Sequence, residues 1–452
     1  MKIVILGNGI SGITAARHIR KRSDHAITVI SEESDYFFSR TALMYVYMGH
    51  MRQQDVQPYE NWFWAKNRIE LVRAQVQSVD FDAKTLHTSD RRVIPYDRLV
   101  LATGSRSNKF GWPGETLNGV HGLYHWQDLE AMERHSAGLQ RAVVVGGGLI
   151  GIEMAEMFHA RHIPVSFLVR EKSFWDTVLP PEESQMVNRH LHEHGIDLRL
   201  ETELKEILPD DKGTCRAVRT HSGEEIACGF VGLTVGVSPN IGFLKNTALE
   251  TNRGILVNEF LETNQPGVYA IGDCTEMRQA RAGRRPIEAV WYTGRMMGEL
   301  VAQNICGKKT AYDPGIWFNS AKFLDIEYQV YGDIRAKLPE NQATVYWEHP
   351  GGKKSIRLNY DKASGAIAGF NLMGVRYRHE VCEKWLREGA HIETVLSNLG
   401  LANFDPEFSD QYESEVVKVY NRQTGKSLSL RQRRGLPGVL RFLQHLSTSS
   451  QR

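Results

Sequence analysis

Two glycine-rich hexapeptides carry the residue types best suited to holding a charged ligand. They are Gly7-Asn8-Gly9-Ile10-Ser11-Gly12 and, about 140 residues later, Gly146-Gly147-Gly148-Leu149-Ile150-Gly151. The first glycine of such a loop permits a tight turn, and the second lets the backbone approach a phosphate. The third lets the following helix pack closely on the preceding strand. The chemistry this supports is capture of a pyrophosphate at a helix N-terminus, where orphan N–H groups and the helix dipole meet negative charge. One such loop is often only a tight turn between a strand and a helix. Two in one chain, each with correct flanks, predict two bound dinucleotides and suggest a flavin and a nicotinamide.

The flanks are what must position these loops. Lys2-Ile3-Val4-Ile5-Leu6 and Ala142-Val143-Val144-Val145 are apolar runs of strand length, and a helical stretch follows each loop. A second strand at 26–31 leads to Glu32, 20 residues after Gly12, where an acid can accept hydrogen bonds from an adenosine ribose. A buried strand at 98–104 ends in a turn, and the strand at 165–169 ends in Arg170-Glu171. Another strand reaches Gly236, and Pro239-Asn240 turns the chain out. Further on, short strands at 343–347, 355–360 and 366–372 precede two helical stretches. The expected fold is α/β: two Rossmann-like domains plus a smaller C-terminal α+β domain. The FAD-binding domain is expected at 1–112 and 241–310, and the NAD(P)H-binding domain at 113–240. The α+β interface domain is expected at 311–415, followed by a basic tail at 416–452.

Composition narrows the function classes. The 452 residues carry a net charge of only +2, so no basic field argues for a nucleic-acid partner. The first strand begins at Lys2, leaving no room for a signal peptide, and no apolar run approaches ~18–20 residues. A soluble cytoplasmic protein is expected. Cys215, Cys228, Cys274, Cys306 and Cys382 are scattered without metal-ligand spacing, so no metal site is expected and each reads as a small buried hydrophobe. Residues 416–452 contain no Asp or Glu, and Leu436, Val439, Leu440 and Leu443 form an apolar stripe at helical spacing. That tail reads as a terminal helix docked on its own protein or a partner subunit, or as an anion-seeking surface for a membrane or an acidic redox partner.

The run Thr263-Asn264-Gln265-Pro266-Gly267-Val268-Tyr269-Ala270-Ile271-Gly272-Asp273 resembles the second FAD motif of the two-dinucleotide-binding-domain flavoprotein reductases. In that family the strand ends at Gly-Asp and the Asp meets the ribityl and phosphate region of FAD. Ala102-Thr103-Gly104 resembles the family's ATG segment, and Gly236 with Pro239-Asn240 its G-x-x-PN turn. Glu288-Ala289 and the residues after them resemble the helix whose N-terminus faces the flavin. The resemblance implies FAD and NADH or NADPH as cofactors, with Val76 also at the cofactor site. It is dense over residues 1 to about 310.

The branch is set by missing sulfur. Tyr36-Phe37-Phe38-Ser39-Arg40-Thr41-Ala42-Leu43 stands where the disulfide reductases carry paired cysteines and the peroxidase and oxidase branch carries one. Arg40 resembles the FAD-phosphate arginine of the ferredoxin, rubredoxin and nitrite reductase-type flavoproteins, although Thr41 replaces their proline. Their lysine just beyond is replaced by Met44 or Tyr45. Glu153 corresponds to the glutamate that this lysine pairs with, close to the nicotinamide. An acid there can also simply complement the helix dipole, worth at most ~1 kcal/mol if exposed. Phe318 takes the place of a tryptophan lining the flavin in related ferredoxin reductases. Glu171, 20 residues past Gly151, fits NADH, whereas Val169-Arg170 resembles NADPH-using glutathione reductases.

The resemblance implies an FAD-dependent NAD(P)H oxidoreductase serving a small one-electron carrier such as ferredoxin or rubredoxin, with homodimerisation as a family expectation. Two other readings stand beside it. One is a peripheral NADH:quinone reductase touching the membrane through the basic tail. The other is an NADH-responsive interaction module of the apoptosis-inducing-factor type.

Overall fold

The apolar run before each glycine loop is a central strand of a parallel sheet. The computed structural model describes residues 1–431, and these divide into two units between Gly315 and Ile316. In the first unit, one sheet begins with β1 (Lys2–Leu6), β2 (Ala26–Ser31), β3 (Ile69–Arg73) and β4 (Arg98–Leu101). A second sheet contains β5 (Val120–His121), β6 (Ala142–Val145), β7 (Val165–Leu168), β8 (Asp197–Arg199) and β9 (Phe230–Leu233). The chain then returns to the first sheet with β10 (Val268–Ala270). The orders are β10-β4-β1-β2-β3 and β8-β7-β6-β9-β5, with every neighbouring pair parallel. Strands covered on both faces read as unbroken apolar runs rather than alternating ones, and all four residues of β6 and of β7 are buried.

Helix α1 (Ile10–Arg20) follows β1, and the short α2 (Leu43–Tyr47) lies between β2 and β3. Helix α3 (Trp126–Ser136) precedes β6, α4 (Leu149–Ala160) follows it, and α5 (Pro181–Glu193) lies between β7 and β8. Helix α6 (Trp291–Ile305) comes after β10 and packs along α1. The chain passes between the two sheets twice, at 105–107 and 237–239, and these passages pair as a short antiparallel ribbon. Asn240 N–H closes on the Gly104 carbonyl at 2.9 Å beside it.

The second unit is an antiparallel sheet of β11 (Phe318–Phe323), β12 (Ile326–Gly332), β13 (Gln342–Glu348), β14 (Ser355–Asp361) and β15 (Ile367–Met373), in the order β11-β12-β15-β14-β13. Helices α7 (His379–Glu388), α8 (Ile392–Ser397) and α9 (Glu413–Thr424) complete it. Strands β11 and β12 went unread in the sequence because polar residues interrupt the alternation of β11, which is mostly half-buried. Helix α9 crosses residue 415, where the sequence had placed a domain boundary. Its Val416, Val417 and Tyr420 are buried in this unit's core, so the acid-free stretch begins inside a packed helix. Leu436, Val439, Leu440 and Leu443 lie outside the described residues. Among the described residues no helix is long and apolar enough to cross a membrane.

The α1–α6 contact depends on glycine. A Cβ on Gly298 would stand 2.5 Å from the Ser11 carbonyl oxygen and 2.9 Å from Thr14 Cβ. Gly298→Val should therefore cost about 1–3 kcal/mol of stability by overpacking, read as a lower urea midpoint. An unchanged midpoint would show that the helices can part without cost.

Candidate functional site

Gly7 turns the chain at the end of β1 with φ +118°, and a Cβ there would lie 2.1 Å from the Ala102 carbonyl oxygen. A Cβ on Gly12 would lie 2.0 Å from the Gly7 carbonyl oxygen, so the third glycine sets how closely α1 packs on its strand. Gly9, the N-cap of α1, has ordinary extended backbone, and nothing lies within 4 Å of where its Cβ would be. Buried Ser11 sits where a Cβ on Gly272 or Gly294 would clash with its hydroxyl. Gly272 and Asp273, which follow β10, are thereby brought against the first turn of α1.

A charged cluster stands beside this turn. Arg40 grips Glu33 through two hydrogen bonds, at 2.8 and 2.6 Å, and donates to the Tyr124 carbonyl. The Trp126 N–H also donates to Glu33, at 2.8 Å. Burial alone would push the Glu33 carboxyl up, but the Arg40 guanidinium, with His125 nearby, holds it at about 2. The Tyr124 hydroxyl accepts from Ser105 N–H at 2.9 Å and donates to Asp273 at 3.1 Å. Burial pushes the Asp273 carboxyl up, against the opposing pull of Tyr124 and Arg40.

The second turn repeats the first. Gly146 has φ +113°, with the Thr234 carbonyl oxygen 2.6 Å from its would-be Cβ. A Cβ on Gly151 would lie 2.2 Å from the Gly146 carbonyl oxygen, while Gly148 faces open space. Ile150 is half-buried in the first turn of α4. Gly236, at φ +87°, receives the Asn108 N–H at 3.1 Å. Glu153 lies one turn further along α4, and burial, then Glu156, pushes its carboxyl up to about 7. A helix dipole would move this carboxyl the other way, so burial and Glu156 outweigh it here.

Among the helices of ten or more residues, α1, α4 and α6 begin with no side-chain cap and no acid in the first turn, and the five-residue α2 lacks both as well. Helices α3, α5, α7, α8 and α9 each carry an acid there. Uncapped N-termini facing open space at Gly9 and Gly148 fit two pyrophosphates.

The remaining residues expected from sequence divide. Ala102, Thr103 and Gly104 follow β4 beside Gly7 and Tyr124. Glu32 is exposed at the end of β2, and Val76 is buried just beyond β3. Arg170 pairs with Glu171 at 2.8 Å just past β7. Glu288 is held by Arg284 through two bonds of 2.6 Å ahead of α6, and Ala289 next to it is exposed. Phe318 lies in the second unit, its ring edge-on to His379 at 4.5 Å. Sequence reasoning missed Glu33, Tyr124 and Arg284. Glu33 adjoins the acid that was chosen, whereas Tyr124 reaches Asp273 only through a contact spanning 149 residues.

The sequence profile of the pyridine nucleotide-disulphide oxidoreductases matches residues 1–298. The nitrite reductase (NAD(P)H) of Bacillus subtilis is 28% identical over 371 residues, which is 81% of this chain and 45% of that protein. The chain thus spans less than half of that relative. The rhodocoxin reductase of Rhodococcus erythropolis is 31% identical over 329 residues, 72% of this chain and 76% of its own. The crystal structure of a ferredoxin reductase from Rhodopseudomonas palustris shares the fold, with a TM-score of 0.75 at 24% identity over 82% of this chain and 91% of that one.

Two outcomes follow from the site geometry. Gly9→Ala should fold with unchanged stability, since nothing crowds the new methyl, yet it should hold its dinucleotide less tightly, as measured by the fraction retained through gel filtration. Glu153 binds its proton up to about 7 when folded, against 4.5 for the ordinary glutamate. The stability this confers is full below the lower value and lost as pH rises through the upper one. Between about pH 5 and pH 8 the wild type should lose more thermal stability than Glu153→Gln; parallel curves would refute the burial.

Proposed function

Because the chain belongs to the pyridine nucleotide-disulphide oxidoreductase family, we propose that it is an FAD-dependent NAD(P)H oxidoreductase whose electrons leave to a small one-electron carrier protein. The observation that carries this reading is the pair of uncapped, glycine-bounded helix N-termini, one on each parallel sheet. The FAD held there would supply hydride acceptance from the nicotinamide and release of electrons one at a time.

The residues of the chain bind and orient. The Gly7–Gly12 turn and Asp273 hold the flavin dinucleotide, with Arg40 supplying positive charge from its seat on Glu33. The Gly146–Gly151 turn holds the nicotinamide dinucleotide. The uncapped start of α6 offers a positive dipole end near Asp273, since α6 packs along α1. Glu153, raised to about 7, is only partly ionised near neutral pH and so adds less than a full negative charge at the second turn.

Sulfur has no part in this scheme. Cys274 adjoins Asp273, but its thiol is buried, donates to the Leu101 and Ile271 carbonyls, and is pushed up by burial. Cys215 and Cys228 are likewise buried and raised, to about 11 and about 12. None is the thiolate that disulfide exchange requires. That supports direct delivery from flavin to carrier. Nitrite reduction is not carried over, because so much of the nitrite reductase lies beyond the match.

NADH is the favoured donor, since Glu171 neutralises Arg170 and would repel a 2′-phosphate.

Anaerobic titration with NADH should bleach the flavin of the purified protein, and steady-state turnover should be faster with ferredoxin or rubredoxin than with quinone, nitrite or oxygen. Protein that stays colourless after reconstitution with FAD would end the proposal. Glu171→Ala should free Arg170 and lower KM for NADPH relative to NADH; an unmoved ratio would show that the pair does not select the donor.

A further inference from the structure

One residue of the second parallel sheet reaches into the site built on the first. Tyr124 follows β5, the edge strand of the second sheet, and precedes α3. Its backbone is fixed there, because the Asp128 carboxylate accepts the N–H groups of Tyr124 and His125 at 2.8 Å each. From that seat it touches three segments of the first sheet, those that follow β2, β4 and β10. Its carbonyl accepts from Arg40, and the Arg40 guanidinium lies over its ring, 4.5 Å from the centroid. Its hydroxyl accepts from Ser105 N–H at 2.9 Å and donates to Asp273 at 3.1 Å. Gly104 leaves room for that hydroxyl, since a Cβ there would stand 2.9 Å from it.

These contacts demand a phenol. A hydroxyl accepts and donates at once, whereas phenylalanine would take this partner from both the Ser105 N–H and the Asp273 oxygen. Burial, then Asp273, pushes the Tyr124 hydroxyl up, so its proton stays in place and points at the carboxyl. Against the burial that raises Asp273, Tyr124 is the first restraint and Arg40 the second. The Cys274 thiol, also raised by burial, is the other titratable group beside Asp273.

We propose that Tyr124 is a positioning residue for the flavin dinucleotide, holding the Asp273 carboxyl and the Arg40 guanidinium at the first glycine turn. The proposal rests on the reading of that turn as the FAD site. The turn and its two charged neighbours belong to the first sheet, yet their arrangement is set from the second. The flavin site is therefore complete only when both sheets are in place.

The test compares wild type, Tyr124→Phe, Asp273→Asn and the double variant, each stripped of FAD and refilled. Tyr124→Phe removes one oxygen and keeps the ring beneath Arg40. Its Kd for FAD, read from quenching of flavin fluorescence, should rise roughly tenfold or more. The Kd of the FAD-loaded protein for NAD+ should not move, because both partners of the hydroxyl lie at the first turn. In the Asp273→Asn background the same change should cost much less, since the hydroxyl acts through the carboxyl. The infrared band of the protonated Asp273 carboxyl in the FAD-free protein is identified by its loss in Asp273→Asn. It should titrate about one to two pH units higher in Tyr124→Phe. Equal FAD affinity in wild type and Tyr124→Phe, additive losses in the double variant, an unmoved infrared midpoint, or a matching loss of NAD+ affinity would each overturn the proposal. Wild type that takes up no FAD would overturn the flavoprotein reading as well.

Discussion

A phosphate can reach a helix N-terminus only if no side chain stands in front of it, and that constraint fixes most of what surrounds α1. Gly7 and Gly12 bring the helix down onto its own strand, and Gly272, Gly294 and Gly298 bring β10 and α6 down onto the helix. Ser11 is the filling of that space, its hydroxyl lying where a methyl on Gly272 or Gly294 would be. The half of the fold that returns after residue 240 is therefore locked to the half that precedes residue 113 by backbone-to-backbone approach. A discontinuous domain is held together at the same point where its ligand would sit, so packing and binding share the same glycines.

Electrostatics around the two turns separates three carboxyls by environment. Glu33 is kept ionised at about 2 because Arg40 meets both of its oxygens and compensates for the loss of water. Asp273 and Glu153 have no bidentate cation, and burial moves both upward. A pyrophosphate arriving at either turn would thus meet helix dipoles and carboxyls whose ionisation burial opposes. The Glu33 carboxylate beside the first turn is neutralised by Arg40. The same logic bears on the longer helices, of which α1, α4 and α6 lack first-turn acids while α3, α5, α7 and α9 have them: acids stabilise a helix start, and at the first three they would compete with the ligand.

What was legible in the sequence was whatever is local. Strands β1, β2, β6 and β7, the turns at Gly7 and Gly146, and the uncapped helices are written in runs of fewer than twenty residues. Parallel-sheet burial also makes those strands unbroken apolar stretches. The second unit was read less well because β11 is half-buried and polar residues interrupt it. The partners of the site residues were not legible. Arg40 was found, but its anchor Glu33 was passed over for Glu32, since nothing in a Glu-Glu pair says which one turns inward. Tyr124 links Arg40 to Asp273 across 84 and 149 residues, a contact that no local pattern encodes.

The helix pair α2 and α4 shows why Glu153 departs from an ordinary glutamate. Helix α2 packs on α4, but its sequence Leu43-Met44-Tyr45-Val46-Tyr47 brings no cation, and Met44 is buried there. The positive charge that the two helices do share is Arg161, just past the far end of α4. Its guanidinium lies over the Tyr47 ring, 3.6 Å from the centroid, and is engaged by the Tyr47 carbonyl and Glu133. Eight residues of helix, about 12 Å, separate it from Glu153, a distance at which a charge already engaged by Glu133 does little. Burial and Glu156 are then unopposed, and the carboxyl settles at about 7. At neutral pH such a group spends comparable time as acceptor and as donor. A glutamate paired with lysine would be locked as an acceptor, so the loss of that cation from α2 changes the hydrogen-bonding role available to Glu153 without changing its place on α4.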